Sequence, residues 1–338
     1  MTSELKQLFQ SCLVWQQAGN RSVLATVVHL EGSSYRRPGV RMLISETGES
    51  VGAISGGCVE KDILRQSREV FQTGKAKIMT YDGRFRVGCE GVIYLLLEPI
   101  FIGSDLWSHF EEALKNRQPF STESYYYTEP GTYEAIGSSL ILEGERHSLN
   151  PAFHPDRITD QECFAQDFPP VFQLYIFGAE HDAVQLCRAA HHLGWEVTIV
   201  ASPDESKSLS YFPGAERLIA PSFDHLDTAG LDEQTAVVLM SHSFHKDVQY
   251  LIALKDLKPA YIGLLGPAHR RERLIEEFLN YSPDVSTSFL EQLRGPAGIN
   301  IGAESAAEVA LSILAEILSV QRNQQPMALR EKAGSIHG

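Results

Sequence analysis

The fold of the second half of the chain is decided by the stretch Leu174-Tyr175-Ile176-Phe177-Gly178-Ala179-Glu180-His181-Asp182-Ala183. An apolar strand that ends at a glycine turn and leads into a helical pattern is typical of a dinucleotide-binding domain. Strand-like and helix-like periods alternate from here on, with strands predicted at 173–177, 196–200, 216–220, 235–240 and 260–264. This alternation predicts a Rossmann-like, doubly wound domain with a mainly parallel sheet over residues 171–322.

The dinucleotide fingerprint in this stretch is incomplete. Gly178 is the first glycine of the fingerprint. Glu180 occupies the position of the second, where a glycine lets the backbone approach a pyrophosphate. The acidic residue that binds a ribose hydroxyl after the second strand is also missing, because Ala201 follows Val200 and Asp204 is the nearest carboxylate. The stretch therefore predicts the fold without predicting NAD(P) in its usual pose. An NAD(P)-dependent oxidoreductase or another nucleotide-binding enzyme is the alternative function.

Polar side chains follow the first and fourth predicted strands of this domain. Glu180 and His181 follow the first strand, and His242 follows the fourth, with His245 close behind it. Because these two strands are neighbours where a doubly wound sheet binds its ligands, we expect the side chains to converge in one crevice. Glu180, His181 and His242 are then candidate metal ligands. The alternative is that the histidines only stabilise the loops by hydrogen bonds.

A strand that leads into a basic helical turn follows at Gly266-Pro267-Ala268-His269-Arg270-Arg271. Free backbone N–H groups at a helix start, together with arginine, can hold an anion. We therefore include Gly266 among the candidate cofactor-binding residues. A surface helix with solvated charges is the alternative.

The first half predicts a mixed α+β domain over residues 1–150. Helical patterns at 4–18, 59–71 and 106–117 alternate with strands predicted at 23–28, 40–45, 51–54 and 92–97. A polar stretch with several prolines, at about 147–171, predicts a linker, and residues 323–338 are expected to form a flexible tail. The overall expectation is an α/β protein of two domains.

Three arginines give this half a concentrated positive segment. Arg36, Arg37 and Arg41 lie in or directly after a loop rich in turn-forming residues, in a chain of 338 residues with a formal net charge of -14. Such a local concentration of positive charge in an acidic protein indicates an anionic ligand.

Two cysteines lie in glycine-rich loops. Cys58 follows Gly56 and Gly57 at the start of a predicted helix, where the helix dipole favours a thiolate, and Cys89 lies in a second glycine loop. Loops at strand ends often carry sites, so a chemical role is open for both thiols beside ordinary packing. Packing alone is expected for Cys12, Cys163 and Cys187.

Composition argues against several classes of protein. The net charge of -14 disfavours a general nucleic-acid binder or membrane-surface binder. No apolar run approaches the roughly 18 residues of a membrane span, and the first residues lack the pattern of a signal peptide. Five scattered cysteines without a C-x-x-C pair fit free thiols in a reducing compartment, so we expect a cytoplasmic protein. No nucleophile elbow or paired-carboxylate pattern supports a hydrolase.

Several separated motifs occur in order along the chain. They are Gly32-Ser33-Ser34-Tyr35-Arg36, Ser55-Gly56-Gly57-Cys58-Val59-Glu60, Gly88-Cys89-Glu90-Gly91, Gly178-Ala179-Glu180-His181, His242 with Asp247, Gly263-Leu264-Leu265-Gly266 and Gly298-Ile299-Asn300-Ile301-Gly302-Ala303-Glu304. As a set they resemble the XdhC/CoxI family of accessory proteins.

The resemblance implies a non-catalytic chaperone that binds molybdenum cofactor (molybdopterin) and protects it during sulfuration. It also implies insertion of the cofactor into an apo molybdenum hydroxylase of the xanthine dehydrogenase type, with a cysteine desulfurase as a further partner. Family likeness gives Cys58 and Cys89 the role of approaching the metal, and the choice between them stays open. A homodimer is compatible with this role.

Overall fold

The computed structural model describes residues 1–32, 37–55, 57–83 and 91–333, apart from the side chains of Cys58 and Asp224. Contacts within the chain divide it into two units, Met1–Pro170 and Val171–Gly338, called here the N-terminal unit and the C-terminal unit. Within the described ranges, no helix combines the length and apolar character needed to cross a membrane.

The N-terminal unit consists of helices packed on two antiparallel sheets. Its described helices are α1 (Thr2–Gln17), α2 (Cys58–Thr73) and α3 (Ser104–Lys115). Its described strands are β1 (Ser22–Glu31), β2 (Arg41–Ser45), β3 (Ser50–Gly52), β4 (Ala76–Asp82), β5 (Val92–Ile100), β6 (Phe120–Tyr126), β7 (Gly131–Tyr133), β8 (Gly137–Leu142), β9 (Glu145–Ser148) and β10 (Glu162–Phe168). The sheets have the orders β3-β2-β1-β5-β4-β7 and β10-β6-β8-β9. The mixed α+β character predicted for this half is confirmed.

Strand β1 is buried on both of its faces. Val23 and Ala25 pack with Ile63 of α2, whereas Leu24 packs in a different cluster with Leu8 of α1. Successive side chains of a strand point to opposite faces, so α1 and α2 cover opposite faces of the first sheet. Strand β3, which precedes α2 in the chain, is an edge strand of that sheet.

The segment expected to be a linker contains an ordered strand. Strand β10 pairs with β6 along its whole length, from Glu162 opposite Tyr126 to Phe168 opposite Phe120. The prolines of the segment lie outside the strand. Within the strand, Phe164, Gln166 and Phe168 are less exposed than the residues between them. The period of two typical of a half-buried strand is therefore present within a composition that favours a linker.

The C-terminal unit is a doubly wound parallel sheet. Its strands are β11 (Gln173–Phe177), β12 (Glu196–Val200), β13 (Ala215–Ile219), β14 (Thr235–Leu239), β15 (Tyr261–Leu264) and β16 (Leu293–Arg294), in the order β13-β12-β11-β14-β15-β16 with parallel neighbours. Its helices are α4 (His181–His192), α5 (Phe244–Leu254), α6 (Ala268–Tyr281), α7 (Thr287–Gln292) and α8 (Ala306–Gln321). The predicted Rossmann-like fold is confirmed.

Helices cover both faces of this sheet. Leu174 and Ile176 of β11 pack in the core that includes α4 and α8, whereas Phe177 packs in the core that includes α5 and α6. Strands β11 and β14 are direct neighbours, with Phe177 opposite Leu239 at their carboxyl ends. The turns that follow these two strands therefore lie side by side, as predicted.

Polar side chains lie between the two sheets of the N-terminal unit. Arg41 on β2 donates to Oγ1 of Thr122 on β6 at 2.8 Å and to Oε1 of Gln166 on β10 at 2.6 Å. On β5, Oε2 of Glu98 accepts the backbone N–H of Ser138 at 2.8 Å, and Oε1 has no hydrogen-bond partner among the described residues. Burial raises the pKa of Glu98 to about 7, although the hydrogen bonds from Ser138 and the attraction of Arg41 oppose this rise.

We predict that Glu98→Gln flattens the pH dependence of stability. The pKa of Glu98 in the folded protein lies above the ordinary value of 4.5, so its stabilising protonated form is fully present below pH 4.5 and lost as the pH rises through about 7. The loss is on the order of 3 kcal/mol in the free energy of unfolding. Urea unfolding between about pH 5 and 8 measures it. The matched variant Glu145→Gln, at an exposed position of β9, should keep the wild-type slope; the same slope in Glu98→Gln would contradict the prediction.

Candidate functional site

The carboxylate of Glu60 holds together the loop at the start of α2. It accepts the backbone N–H groups of Ile54 at 3.1 Å, of Gly57 at 2.7 Å and of Ser55, and the hydroxyl of Ser55 at 3.0 Å. Gly57 has a φ of 115°, a conformation open mainly to glycine. Burial raises the pKa of Glu60, but the hydrogen bonds outweigh it and hold the pKa below its ordinary value. The ionised carboxylate thus fixes this loop at neutral pH.

Helix α2 begins at Cys58, directly after the clamped loop. The backbone of Cys58 therefore lies at the positive end of the helix dipole, and the predicted helix start is confirmed. The side chain of Cys58 lies outside the described part of the structure, as do Arg36, Gly56 and Cys89 entirely.

The remaining arginines of the predicted anion-binding segment line a cavity of about 360 Å³ in the N-terminal unit. Arg37 is exposed, and Arg41 is half-buried. Ala53, two residues before Ser55 of the loop that Glu60 holds, lines the same cavity. Burial lowers the pKa of Arg41 to about 10. Arg41 also ties β2 to the second sheet through Thr122 and Gln166, a structural role that the sequence did not predict.

A smaller cavity of about 180 Å³ lies at the carboxyl ends of the parallel strands in the C-terminal unit. It is lined by Gly178 and Glu180 after β11, by Ser202 after β12 and by Ser241 after β14. This is the place where doubly wound sheets usually bind ligands. A side chain at Gly178 would collide with the backbone oxygen of Met240, so this glycine is required by the close approach of two strand ends.

Ion pairs surround this crevice. Lys207 Nζ lies 3.3 Å from Oε2 of Glu180 and 3.1 Å from Oε2 of Glu205, and Lys246 Nζ lies 3.5 Å from Oδ1 of Asp204. A pyrophosphate at the start of α4 would meet the carboxylate of Glu180. The volume is also below the range of about 300–1,000 Å³ that is usual for small-molecule sites. These features do not fit a dinucleotide in its usual pose.

The structure does not gather the predicted metal ligands Glu180, His181 and His242 into one group. The Nε2 atom of His181 lies 3.4 Å from Nε2 of Gln185, and that of His242 lies 3.6 Å from Oδ2 of Asp182, while Glu180 belongs to the ion pairs just described. Neither histidine lines the crevice. In the parts of the chain that the structure describes, no three His, Cys, Asp or Glu side chains form a group that could hold a metal ion. Each predicted ligand instead has its own partner.

Internal contacts occupy the basic turn after Gly266. Arg270 donates to Oδ2 of Asp247 at 2.9 Å, and Arg271 donates to the backbone oxygen of Leu293 at 3.3 Å. Gly266 has a φ of 113°, and a Cβ there would lie 2.7 Å from Cδ of Arg270. The structure therefore gives Gly266 and both arginines a role in packing and in fixing the start of α6.

Two residues of the N-terminal unit were missed as site residues. Glu60 is the third residue of α2, and a glutamate at this position of a predicted helix is the mark of a capping box. Gln166 lines the larger cavity from β10, a strand whose sequence does not alternate apolar and polar residues and so carries no clear signal.

We predict that Glu60→Ala loosens the loop before α2. Its hydrogen bonds to an ionised acceptor contribute on the order of 1–3 kcal/mol, so their loss should speed exchange of the Ser55 and Gly57 amide hydrogens and lower the unfolding temperature. Hydrogen exchange followed by mass spectrometry measures the first effect. Asp62→Ala removes a half-buried carboxylate of the same helix, paired with the exposed Arg65, and should leave both amides as in the wild type. Equal exchange in the two variants would refute the clamp.

Known proteins are similar to this chain over nearly its whole length. A Bacillus subtilis protein described as a probable xanthine dehydrogenase subunit is 29% identical over 321 residues, which are 89% of this chain and 93% of the relative. The molybdenum cofactor insertion chaperone PaoD of Escherichia coli is 24% identical over 332 residues, 96% of this chain and 91% of the relative.

A solved structure and two family models agree with these relatives. The crystal structure of a protein from Bacillus halodurans, described as a xanthine dehydrogenase, is 27% identical and has a TM-score of 0.75, covering 95% of this chain and 96% of that chain. The model of the XdhC Rossmann domain matches residues 174–317, and that of the XdhC and CoxI family matches residues 15–82. The chain belongs to the XdhC/CoxI family.

Proposed function

We propose that this protein is an accessory protein that binds molybdenum cofactor in the cytoplasm and inserts it into a molybdenum hydroxylase of the xanthine dehydrogenase type. The family supports this proposal. So do the relatives, since one is named a molybdenum cofactor insertion chaperone and the other is described as belonging to xanthine dehydrogenase. Binding and transfer, without turnover, are the proposed activity.

The observation that carries the proposal is the clamped loop before α2. Glu60 accepts the backbone N–H groups of Ile54, Ser55 and Gly57, and the helix then begins at Cys58. A thiolate is a soft ligand suited to a transition metal, and the positive end of a helix favours an anionic group beside it. When bound, the cofactor would supply a molybdenum centre on a dithiolene and a phosphate. The residues proposed to approach its metal are Cys58 and Cys89.

The finer part of the proposal concerns sulfuration and partners. A carrier that holds the metal through cysteine could present it to a cysteine desulfurase before the client hydroxylase receives it. Both partners are proposed from the family resemblance, and a homodimer is proposed on the same footing.

The alternative of an NAD(P)-dependent enzyme depends on the C-terminal unit. Its strand order favours nucleotide binding. Against it stand the carboxylate of Glu180 at the start of α4 and the ion pairs that join Glu180, Lys207 and Glu205 beside a crevice of about 180 Å³. A negative group and a small volume both disfavour a pyrophosphate, so the cofactor chaperone is the function we propose.

We predict that Cys58→Ala or Cys89→Ala weakens binding of molybdenum cofactor at least about tenfold, because a metal–thiolate contact is lost. Binding is measured anaerobically by equilibrium dialysis with cofactor released from a molybdenum enzyme. Cys163→Ala is the matched control, since Cys163 is an exposed free cysteine, and its affinity should equal that of the wild type.

Two results would count against this function. Unchanged affinity in both Cys58→Ala and Cys89→Ala would remove the thiolate role. The proposed function would be refuted by two findings together. The wild type would have no affinity for the cofactor, and the host's xanthine dehydrogenase would stay active when the protein is deleted.

A further inference from the structure

The larger cavity of the N-terminal unit combines parts that are distant in the chain. Helix α1 contributes Leu8, the arginine segment contributes Arg37 and Arg41, and strand β10 contributes Gln166 and Phe168. Its volume of about 360 Å³ falls within the range of about 300–1,000 Å³ that is usual for small-molecule sites. The start of α1 and β10 lie outside residues 15–82, which the family model matches in this half.

The charge on its wall favours an anion. The hydrogen-bond acceptors of Arg41 in the described part of the chain are the neutral oxygens of Gly39, Gln166 and Thr122. The carboxylates that attract Arg41, Glu98 and Glu4, lie beyond hydrogen-bond distance. Among the charged side chains that line the cavity, Arg37 and Arg41 are positive and Glu4 is negative. A half-buried guanidinium that forms no close salt bridge with a described carboxylate is a feature that an anionic ligand would neutralise.

The cavity also offers an apolar wall and an amide. The ring of Phe168 lies 5.4 Å from the guanidinium carbon of Arg41 and is itself buried. The amide nitrogen of Gln166 donates to Sδ of Met1 at 3.4 Å, a weak acceptor that a ligand oxygen or ring nitrogen could replace. Gly39 permits this arrangement, because a Cβ at its φ of 97° would lie 2.8 Å from the Gln166 amide.

The chain connects this cavity to the clamped loop. Val51, Gly52 and Ala53 line it, and the next residues are those that Glu60 holds before Cys58. The lining of the cavity therefore continues along the chain into the loop that begins α2.

We propose that this cavity is the subsite for the organic, anionic part of the cofactor, a phosphorylated pterin, with Arg37 and Arg41 binding the phosphate and Gln166 facing the ring. This inference rests on the proposed function and deepens it. It assigns Gln166 and Phe168 of β10 to the site, together with the first turns of α1.

The test uses a probe without metal, so that it does not depend on Cys58 or Cys89. The probe is the oxidised, fluorescent pterin derivative of the cofactor that retains its phosphate, compared with the same pterin after phosphatase treatment. Wild type should bind the phosphorylated form at least about tenfold more tightly. Arg37→Glu, at an exposed position, should abolish this preference. Arg68→Glu, at an exposed position of α2 outside the cavity, should keep it.

A second variant tests the volume. Ala53→Trp places a large ring at an exposed position of the cavity wall and should weaken both pterins at least about tenfold, with an unchanged unfolding temperature. Wild-type binding of both pterins by Arg37→Glu and Ala53→Trp would overturn the subsite. So would a wild type that binds intact cofactor but neither pterin, and the proposed function would then survive. A wild type that binds neither intact cofactor nor pterin would overturn both.

Discussion

The N-terminal unit depends on one guanidinium held between two sheets. Arg41 on β2 reaches Thr122 on β6 and Gln166 on β10, and it lies over the ring of Phe168. These contacts join sheets that share no strand. A cation removed from water costs free energy unless its donors are satisfied, and here neutral oxygens satisfy them without cancelling the charge. The same contacts that hold the sheets together therefore leave a positive wall on the cavity, so architecture and ligand preference have one origin.

The clamped loop complements this buried arrangement in a different way. Glu60 binds backbone N–H groups that a helix start and a tight loop would otherwise leave unpaired. Because Gly57 supplies a conformation that other residues avoid, the loop can turn sharply into α2 at Cys58. The contacts of Arg41 between the sheets fix the wall of the cavity, and the Glu60 hydrogen bonds fix the loop that begins α2.

The sequence predicted the strands of the C-terminal unit better than the side-chain contacts around its crevice. Strands β11 and β12 were predicted with their observed bounds, because strands buried on both faces are continuous apolar runs between turns. Strand β16 has two residues and leaves no pattern to detect. The structure does not bring the proposed metal ligands together, because the partner that a surface side chain takes depends on loops distant in sequence, as with Lys207 beside Glu180. In the N-terminal unit, β10 was missed because its residues do not alternate between apolar and polar and the flanking prolines favour a linker, and Gln166 was missed with it.

The crevice of the C-terminal unit shows why a fold does not carry its usual ligand with it. A glycine at the position of Glu180 would leave the N–H groups of α4 open to a phosphate. Glu180 instead begins the helix with its own negative charge, and Lys207 links that charge to Glu205. Replacing Glu180 alone would leave Lys207 paired with Glu205, with Asp204 still beside Lys246. Several residues would have to change together to restore a pyrophosphate site, so these ion pairs belong to the present architecture of the sheet.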